Sequence, residues 1–170
     1  MRSLTGVRPR LAVYIDDHLL GAFAADELVQ QCLARGFEHH RPTLETFLEE
    51  LREDRLELLA VQRALGFRTR LLKLLAGRIG GRLARVGVNE RLLRFTTASN
   101  FLALEQIAVG VEGKEALWQA MRVLAPNDAR LRTFDFAALA KRAARQRAMI
   151  EELRRDAARQ AFVPELPNAH

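Results

Sequence analysis

Carboxylates and a histidine lie close together in the stretch YIDDHLLGAFAADEL. Asp16, Asp17 and His18 are consecutive, and Asp26 and Glu27 follow ten residues after the first pair. Carboxylate and imidazole groups are the ligands of many transition-metal sites and the general acids and bases of many enzymes. The residue types therefore raise the hypothesis of a metal or catalytic site on one helix.

Helical spacing divides these side chains between two faces. His18 falls on an apolar stripe that includes Ile15 and Val29, so we expect it to face the core. Residues that are adjacent in a helix point about 100° apart, which turns Asp17 away from that stripe. Asp16, Asp17, Asp26 and Glu27 are all expected on the solvent face of this helix.

Polar residues also interrupt the apolar faces of the other predicted helices, at about the middle of their length. Together they form a predicted buried polar layer of His18, Asp54, Arg55, Glu105 and Gln146. Buried polar groups lower stability unless they bond to one another, so one interpretation is a hydrogen-bonded layer that fixes helix register, for example Glu105 with Arg55 or His18. The other is a pocket for a small ligand or metal, with His18, Asp54 and Glu105 as ligands of iron or manganese.

The composition excludes several classes of site and of protein. Cys32 is the only cysteine, so neither an intrachain disulfide nor a thiolate metal cluster can form. No uninterrupted apolar run approaches the roughly 18 residues of a membrane-spanning helix. The first residues lack the apolar core and cleavage site of a secretory signal, and we expect a cytoplasmic protein of bacterial type.

Helical periodicity recurs along the chain, and strand-like alternation is almost absent. The pattern predicts an all-α fold of four long helices, over about 9–35, 42–65, 89–124 and 134–162, with a bend or break at Gly110–Gly113. Short loops make helices 1 and 2, and helices 3 and 4, antiparallel hairpins, and a long helical crossover joins helix 2 to helix 3. We expect one helical-bundle domain over residues 1–163 and a flexible tail over 164–170.

Three blocks on these helices, YIDDHLLGAFAADEL, LRFTTASNFLALEQIAVGVEGKEALW and RAARQRAMIEELRRDAARQAF, resemble a group of uncharacterised bacterial ferritin-like proteins. The resemblance covers most of residues 10–162 and implies a ferritin-like four-helix bundle that forms a homodimer. Di-iron members of that class need a Glu-x-x-His pair on each of two helices. Because this sequence contains no Glu-x-x-His, we expect no ordinary di-iron centre. The favoured prediction is that the protein has no cofactor.

The predicted crossover carries most of the positive charge. Residues 63–94 contain nine basic residues and one acidic residue, although the net charge of the whole chain is only +6. Lys73, Arg78, Arg82 and Arg85 lie off the apolar stripe of this segment and form a basic face. A basic amphipathic segment can bind anionic lipid or an acidic protein, and the same pattern also suits a helix that packs on the bundle. Nucleic acid is not expected, since no stacking aromatic or binding motif accompanies the charge.

The sequence therefore favours a non-catalytic binding or structural protein with a ferritin-like bundle and no standard di-iron site. One alternative is a carboxylate- and histidine-based metal or redox protein of the same fold. A second alternative is a peripheral protein that binds an anionic membrane or an acidic partner through residues 68–94.

Overall fold

The computed structural model describes residues 9–35, 37–68 and 96–165, which form four long helices with no β-strand among them. In chain order the helices are α1 (Arg10–Ala34), α2 (Arg41–Ala64), α3 (Thr96–Leu124) and α4 (Phe136–Phe162). Short 3-10 turns lie at Glu38–His40, Ala125–Asn127, Ala129–Leu131 and Val163–Glu165. The all-α prediction and the four long helices are confirmed.

Local sequence explains where α4 begins and where α2 ends. The Asp135 carboxylate accepts a hydrogen bond of 2.9 Å from the backbone N–H of Ala138 and so caps the first turn of α4. After α2 the chain turns at Gly66, which has a φ of 72°. This left-handed conformation favours glycine because it has no Cβ. Both ends are thus determined within a few residues of sequence.

Helices α1 and α2 run antiparallel. Asp16 near the start of α1 bonds to Gln62 near the end of α2, and Asp26 later in α1 pairs with the earlier Arg52. The residue numbers on one helix rise as those on the other fall, which is the register expected for a hairpin with a short connection.

Helices α3 and α4 also run antiparallel and share the most extensive helix–helix contact in the described residues. Trp118 stacks on Phe136 next to the connecting turn, and Phe101 meets Phe162 edge-to-face at the other end. The four helices therefore form two hairpins, as the loop lengths predicted.

The two hairpins meet so that α2 and α3 point in the same direction. The Arg130 guanidinium in the α3–α4 turn donates to the backbone carbonyl of Leu65 at the end of α2, at 3.2 Å. The end of α2 thus lies beside the end of α3, and the end of α2 and the start of α3 lie at opposite ends of the bundle.

The apolar core is divided into two clusters, one at each end of the bundle. The cluster at the α3–α4 turn includes Leu58, Val61, Leu117, Trp118, Met121, Phe136 and Ala143. The cluster at the opposite end includes Phe47, Leu51, Leu104, Ile107, Val111, Ile150 and Leu153. Between them, α2, α3 and α4 each contribute a buried polar residue: Asp54, Lys114 and Gln146.

Three local expectations need correction or fall outside the described residues. Gly110–Gly113 does not break α3, which is continuous from Thr96 to Leu124. Glycine lowers helix stability but does not remove a backbone hydrogen bond, and the packing of α3 on α4 keeps it helical. The predicted start of the third helix lies outside the described residues, and so do residues 166–170 of the predicted tail. The predicted tail boundary at residue 164 falls within the last 3-10 turn.

No helix in the described part of the chain combines the length and the apolar character needed to cross a membrane.

Candidate functional site

Lys114 is the central residue among the buried polar side chains that lie between the two apolar clusters. It projects from α3, and its ammonium donates to Asp54 Oδ2 on α2 and to Gln146 Oε1 on α4, each at 2.5 Å. All three residues are at least nine-tenths buried. One side chain thus links three helices at the boundary between the two apolar clusters.

Arginines of α4 neutralise the remaining acidic groups of this layer. Arg142 donates to the second oxygen of Asp54 and, through Nη1, to Glu53 at 3.0 Å. Arg145 donates to Glu50 at 2.6 Å. We call Glu50, Glu53, Asp54, Lys114, Arg142, Arg145 and Gln146 the Lys114 network.

Gln146 connects the centre of the Lys114 network to its edge. Its Oε1 accepts from Lys114, and its Nε2 donates to Glu50 at 2.8 Å. Both ends of the amide are therefore used, which explains why this glutamine is fully buried on α4.

Burial and hydrogen bonding together shift the pKa values of Lys114 and Glu50. Burial lowers the pKa of Lys114, while the charge of Asp54 and the hydrogen bond to it act in the opposite direction. Burial raises the pKa of Glu50, but hydrogen bonds from Gln146 and Arg145 outweigh it and leave that pKa below its usual value. The lysine is thus costly to bury as a cation, and Asp54 offsets part of that cost.

A cleft of about 280 Å³ adjoins the Lys114 network between α1, α2 and α3. Its polar lining residues are Asp17, His18, Asp54, Arg55 and Lys114, and its other lining residues include Leu51, Leu58, Val111, Leu117 and Trp118. Exposed Gly21 on α1 and exposed Gly110 on α3 also line it, so the cleft opens to solvent where these two helices face each other.

His18 lies in the cleft wall and is half-buried. Burial lowers its pKa, and the neighbouring charge of Asp17 acts in the opposite direction. The imidazole therefore favours its neutral form at pH 7, in which one ring nitrogen donates and the other accepts a hydrogen bond. Its ring meets that of Tyr14 edge-to-face at 4.6 Å.

Asp26 forms a second polar cluster, which joins α1 to α2. Its carboxylate accepts from Arg52 Nε at 3.1 Å, from Arg55 Nη1 at 3.0 Å, and from Gln30. The guanidinium of Arg55 also lies over the ring of Phe23, 4.5 Å from its centroid. We call Asp26, Arg52 and Arg55 the Asp26 clamp.

The expectation that all four acidic residues of α1 face solvent is wrong for two of them. Asp16 is only 2% exposed and Asp26 only 6%, whereas Asp17 and Glu27 are exposed. Because α1 packs on both α2 and α3, its buried face is wider than the apolar stripe indicated. Polar partners on α2 make this possible: Gln62 donates to Asp16 at 2.6 Å, and the Asp26 clamp supplies two arginines.

The residues of the predicted polar layer are divided among three places. Asp54 and Gln146 lie in the Lys114 network, His18 lies in the cleft wall, and Arg55 lines the cleft while it bonds to Asp26. Glu105 lines a separate groove between α3 and α4, beside Arg154. The suggested contact of Glu105 with Arg55 or His18 is therefore wrong, because Glu105 points to the other side of α3.

The structure also does not bring the three predicted metal ligands together. His18 and Asp54 line the same cleft, but Glu105 does not. Within the described ranges there is no group of three or more His, Cys, Asp or Glu side chains placed to hold a metal ion.

Lys114 and Trp118 were missing from the candidate residues. A signal was present, because Ile107, Val111, Lys114, Trp118 and Met121 recur at helical spacing and place the lysine on an apolar stripe. A lysine on such a stripe must either extend to the surface or find a buried partner. Its partners are on other helices, which spacing within α3 does not reveal.

The predicted basic face of Lys73, Arg78, Arg82 and Arg85 lies outside the described residues. Cys32 is a fully buried core residue, and burial raises the pKa of its thiol to about 11.

No protein-family model, curated protein or solved structure matches the chain.

Proposed function

We propose that the chain is a ferritin-like four-helix bundle that acts as a non-catalytic binding protein, with the Lys114 network at the position where di-iron members of that class hold metal. The observation that carries the proposal is the Lys114 ammonium, held between Asp54 and Gln146 at mid-bundle. Two antiparallel hairpins with parallel second and third helices support the ferritin-like arrangement.

The donor chemistry of the Lys114 network does not fit a di-iron centre. One oxygen of Asp54 accepts from Lys114, and the other accepts from Arg142. Glu50 is bonded in the same way to Gln146 and Arg145. Ammonium and guanidinium groups donate hydrogen bonds and do not ligate cations, so here they balance the carboxylate charge that a metal would otherwise balance.

Metal analysis tests this proposal directly. Protein is loaded anaerobically with excess Fe²⁺ or Mn²⁺, passed through a desalting column and analysed for metal content. We expect well below one metal ion per chain, and the same value for Asp54→Asn and for the control Glu27→Gln, whose side chain is exposed on α1. Near-stoichiometric metal that is lost in Asp54→Asn or Glu105→Ala, but retained in Glu27→Gln, would contradict the proposal.

A second candidate function rests on the concentration of positive charge in residues 63–94. We propose that this segment, through Lys73, Arg78, Arg82 and Arg85, binds an anionic membrane surface or an acidic protein. Such an interaction does not compete with the first proposal, because it uses a different part of the chain.

A further inference from the structure

We propose that the cleft between α1, α2 and α3 binds a small amphiphile, with an apolar body and a carboxylate that accepts hydrogen bonds from Trp118 and Lys114. The inference rests on the proposed binding function and specifies its ligand class. It is carried by three features of the cleft: its open glycine entrance, its unused hydrogen-bond donors and its apolar walls.

Glycine keeps the entrance of the cleft open. Among the described residues, a Cβ added at Gly21 or Gly110 would have no heavy atom within 4 Å, and one added at Gly113 would lie 3.9 Å from His18 Cε1. None of the three positions has a positive φ, so backbone conformation does not require glycine there. Glycine within a helix is less favourable than alanine, and its use on both facing helices leaves space that side chains would otherwise fill.

Trp118, which lines the cleft, carries an unused donor. The side chain is fully buried, yet its indole N–H has no hydrogen-bond partner in the part of the chain that the structure describes. Buried polar groups without partners are uncommon in native proteins, and one that lines a cleft points to a ligand or ordered water.

Lys114 supplies a second donor. Its ammonium has three N–H groups, and the described residues provide acceptors for two of them, at Asp54 and Gln146. His18 in its neutral form offers one donor and one acceptor. The carboxylate of Asp54 is already bonded to Lys114 and Arg142, and that of Asp17 is exposed, so the buried part of the polar side, at Trp118 and Lys114, presents donors to a ligand. A ligand that complements it must present acceptor oxygens.

The apolar walls and the volume of the cleft determine the chemistry and the size of the ligand's body. Leu51, Leu58, Val111 and Leu117 make most of the lining apolar. At roughly 30 Å³ for each non-hydrogen atom, a volume of 280 Å³ accommodates about ten such atoms. A medium-chain carboxylate such as octanoate has this size and both required chemical groups, and we use it as the probe.

The test is a titration of the full-length protein with octanoate. Trp118 is the only tryptophan, so its fluorescence reports on the cleft directly, and calorimetry gives the affinity. We expect saturable binding with a shift in Trp118 emission. Octylamine, which has the same chain and a cationic donor head, should bind at least about tenfold more weakly because it meets donors instead of acceptors.

Glycine variants locate the binding site. Gly110→Leu should weaken octanoate binding by about tenfold or more, because its side chain enters the open space, and its melting temperature should stay the same or rise. Gly110→Ala adds only a Cβ and is the matched control, with affinity within about threefold of the original protein. A retained melting temperature separates blocked binding from unfolding.

The Trp118→Phe variant tests the donor, with calorimetry as the readout. The smaller phenyl ring affects both ligands, but loss of the indole donor should weaken octanoate about fivefold to tenfold more than octanol if only the carboxylate reaches the indole. Equal losses for both ligands would remove the indole from the proposal.

Three results would overturn the inference: no octanoate binding at millimolar concentration, equal affinity for octylamine, or unchanged binding in Gly110→Leu. Each leaves the proposed function intact, since that proposal fails only if metal analysis finds a stoichiometric ion at Asp54 or Glu105.

Discussion

At the scale of single residues, Lys114 shows how a buried charge is stabilised in this bundle. Its ammonium has one charged acceptor, Asp54, and one neutral acceptor, Gln146, and Asp54 has a further cation in Arg142. The two members of the ion pair are therefore unequal. Without Asp54 the lysine would keep only a neutral partner, whereas Asp54 without Lys114 would still have an arginine.

This asymmetry predicts unequal effects of substitution. Asp54→Asn should lower the free energy of unfolding by about 3–5 kcal/mol, because it leaves a buried cation without its charged partner. Lys114→Met should cost less, since Asp54 keeps Arg142. The double variant should cost less than the sum of the two, with a coupling energy of about 1–3 kcal/mol in urea-unfolding measurements.

An ion pair nearer the surface provides the control for this double-mutant cycle. Glu151 and Arg154 pair three residues apart on α4, and truncation of either should change the free energy of unfolding by about 1 kcal/mol or less. Additive effects of Asp54→Asn and Lys114→Met would show that the lysine and the aspartate do not act as a pair.

At the scale of helices, the polar clusters hold pairs of elements in register. The Asp26 clamp and the bond between Asp16 and Gln62 join α1 to α2 at two levels, about ten residues apart along α1. Arg142 and Arg145 join α4 to α2 through long side chains. Apolar contacts drive the helices together, and these directional bonds favour one register among those that the apolar faces allow.

The Asp26 clamp predicts a dependence of stability on pH. Burial raises the pKa of Asp26, but hydrogen bonds from Arg52, Gln30 and Arg55 outweigh it, and the folded-state pKa lies below the usual value. A carboxyl with a depressed pKa in the folded state stabilises the fold above its unfolded pKa of about 3.9 and loses that contribution as the pH falls through the folded value.

Asp26→Asn should therefore lower the free energy of unfolding at pH 7 by about 2 kcal/mol and flatten its decline below about pH 4. Urea unfolding from pH 7 to pH 2.5 measures both effects. The neighbouring exposed Glu27 gives the control, with Glu27→Gln within about 0.5 kcal/mol of the original protein at pH 7. If Asp26→Asn and the original protein showed the same pH profile, the clamp would not contribute through charge.

At the scale of the whole molecule, charge is distributed unevenly between two parts of the chain. Residues 63–94 contain nine basic residues and one acidic residue, and the rest of the chain is close to neutral with a small acidic excess. In the described helices most arginines have a nearby carboxylate, as in the Lys114 network and the Asp26 clamp. The net positive charge of the sequence is thus concentrated in residues 63–94, and this is why we propose that segment as the contact for an anionic surface.

Vesicle co-sedimentation tests the proposed role of this segment. The protein should pellet with vesicles that contain anionic lipid and stay in the supernatant with neutral vesicles, and about 0.5 M salt should release it because of screening. Substitution of Arg78, Arg82 and Arg85 by Gln should reduce the bound fraction several-fold. The control replaces Arg155 and Arg159 on α4, both exposed, and should change binding little. Unchanged binding after the first substitutions would exclude the basic face as the membrane contact.

The amino-acid sequence by itself determined the helices and their pairing. Apolar periodicity indicated where the helices lie, Asp135 and Gly66 defined two of their ends, and loop lengths indicated the two hairpins. These features depend on interactions within a few residues of each other, which a single sequence displays.

Only the tertiary structure decided which polar residues meet. Helical spacing placed Asp54, Glu105 and Gln146 near mid-bundle. The rotation of each helix about its axis brought Asp54 and Gln146 to Lys114 and turned Glu105 to another groove. It also buried Asp16 and Asp26, which the α1 pattern assigned to solvent. Such contacts depend on partners tens of residues away, and a rotation of a fraction of a turn exchanges one partner for another. For this reason the periodicity of each helix was sufficient for the fold, whereas the candidate site required the packing of all four helices.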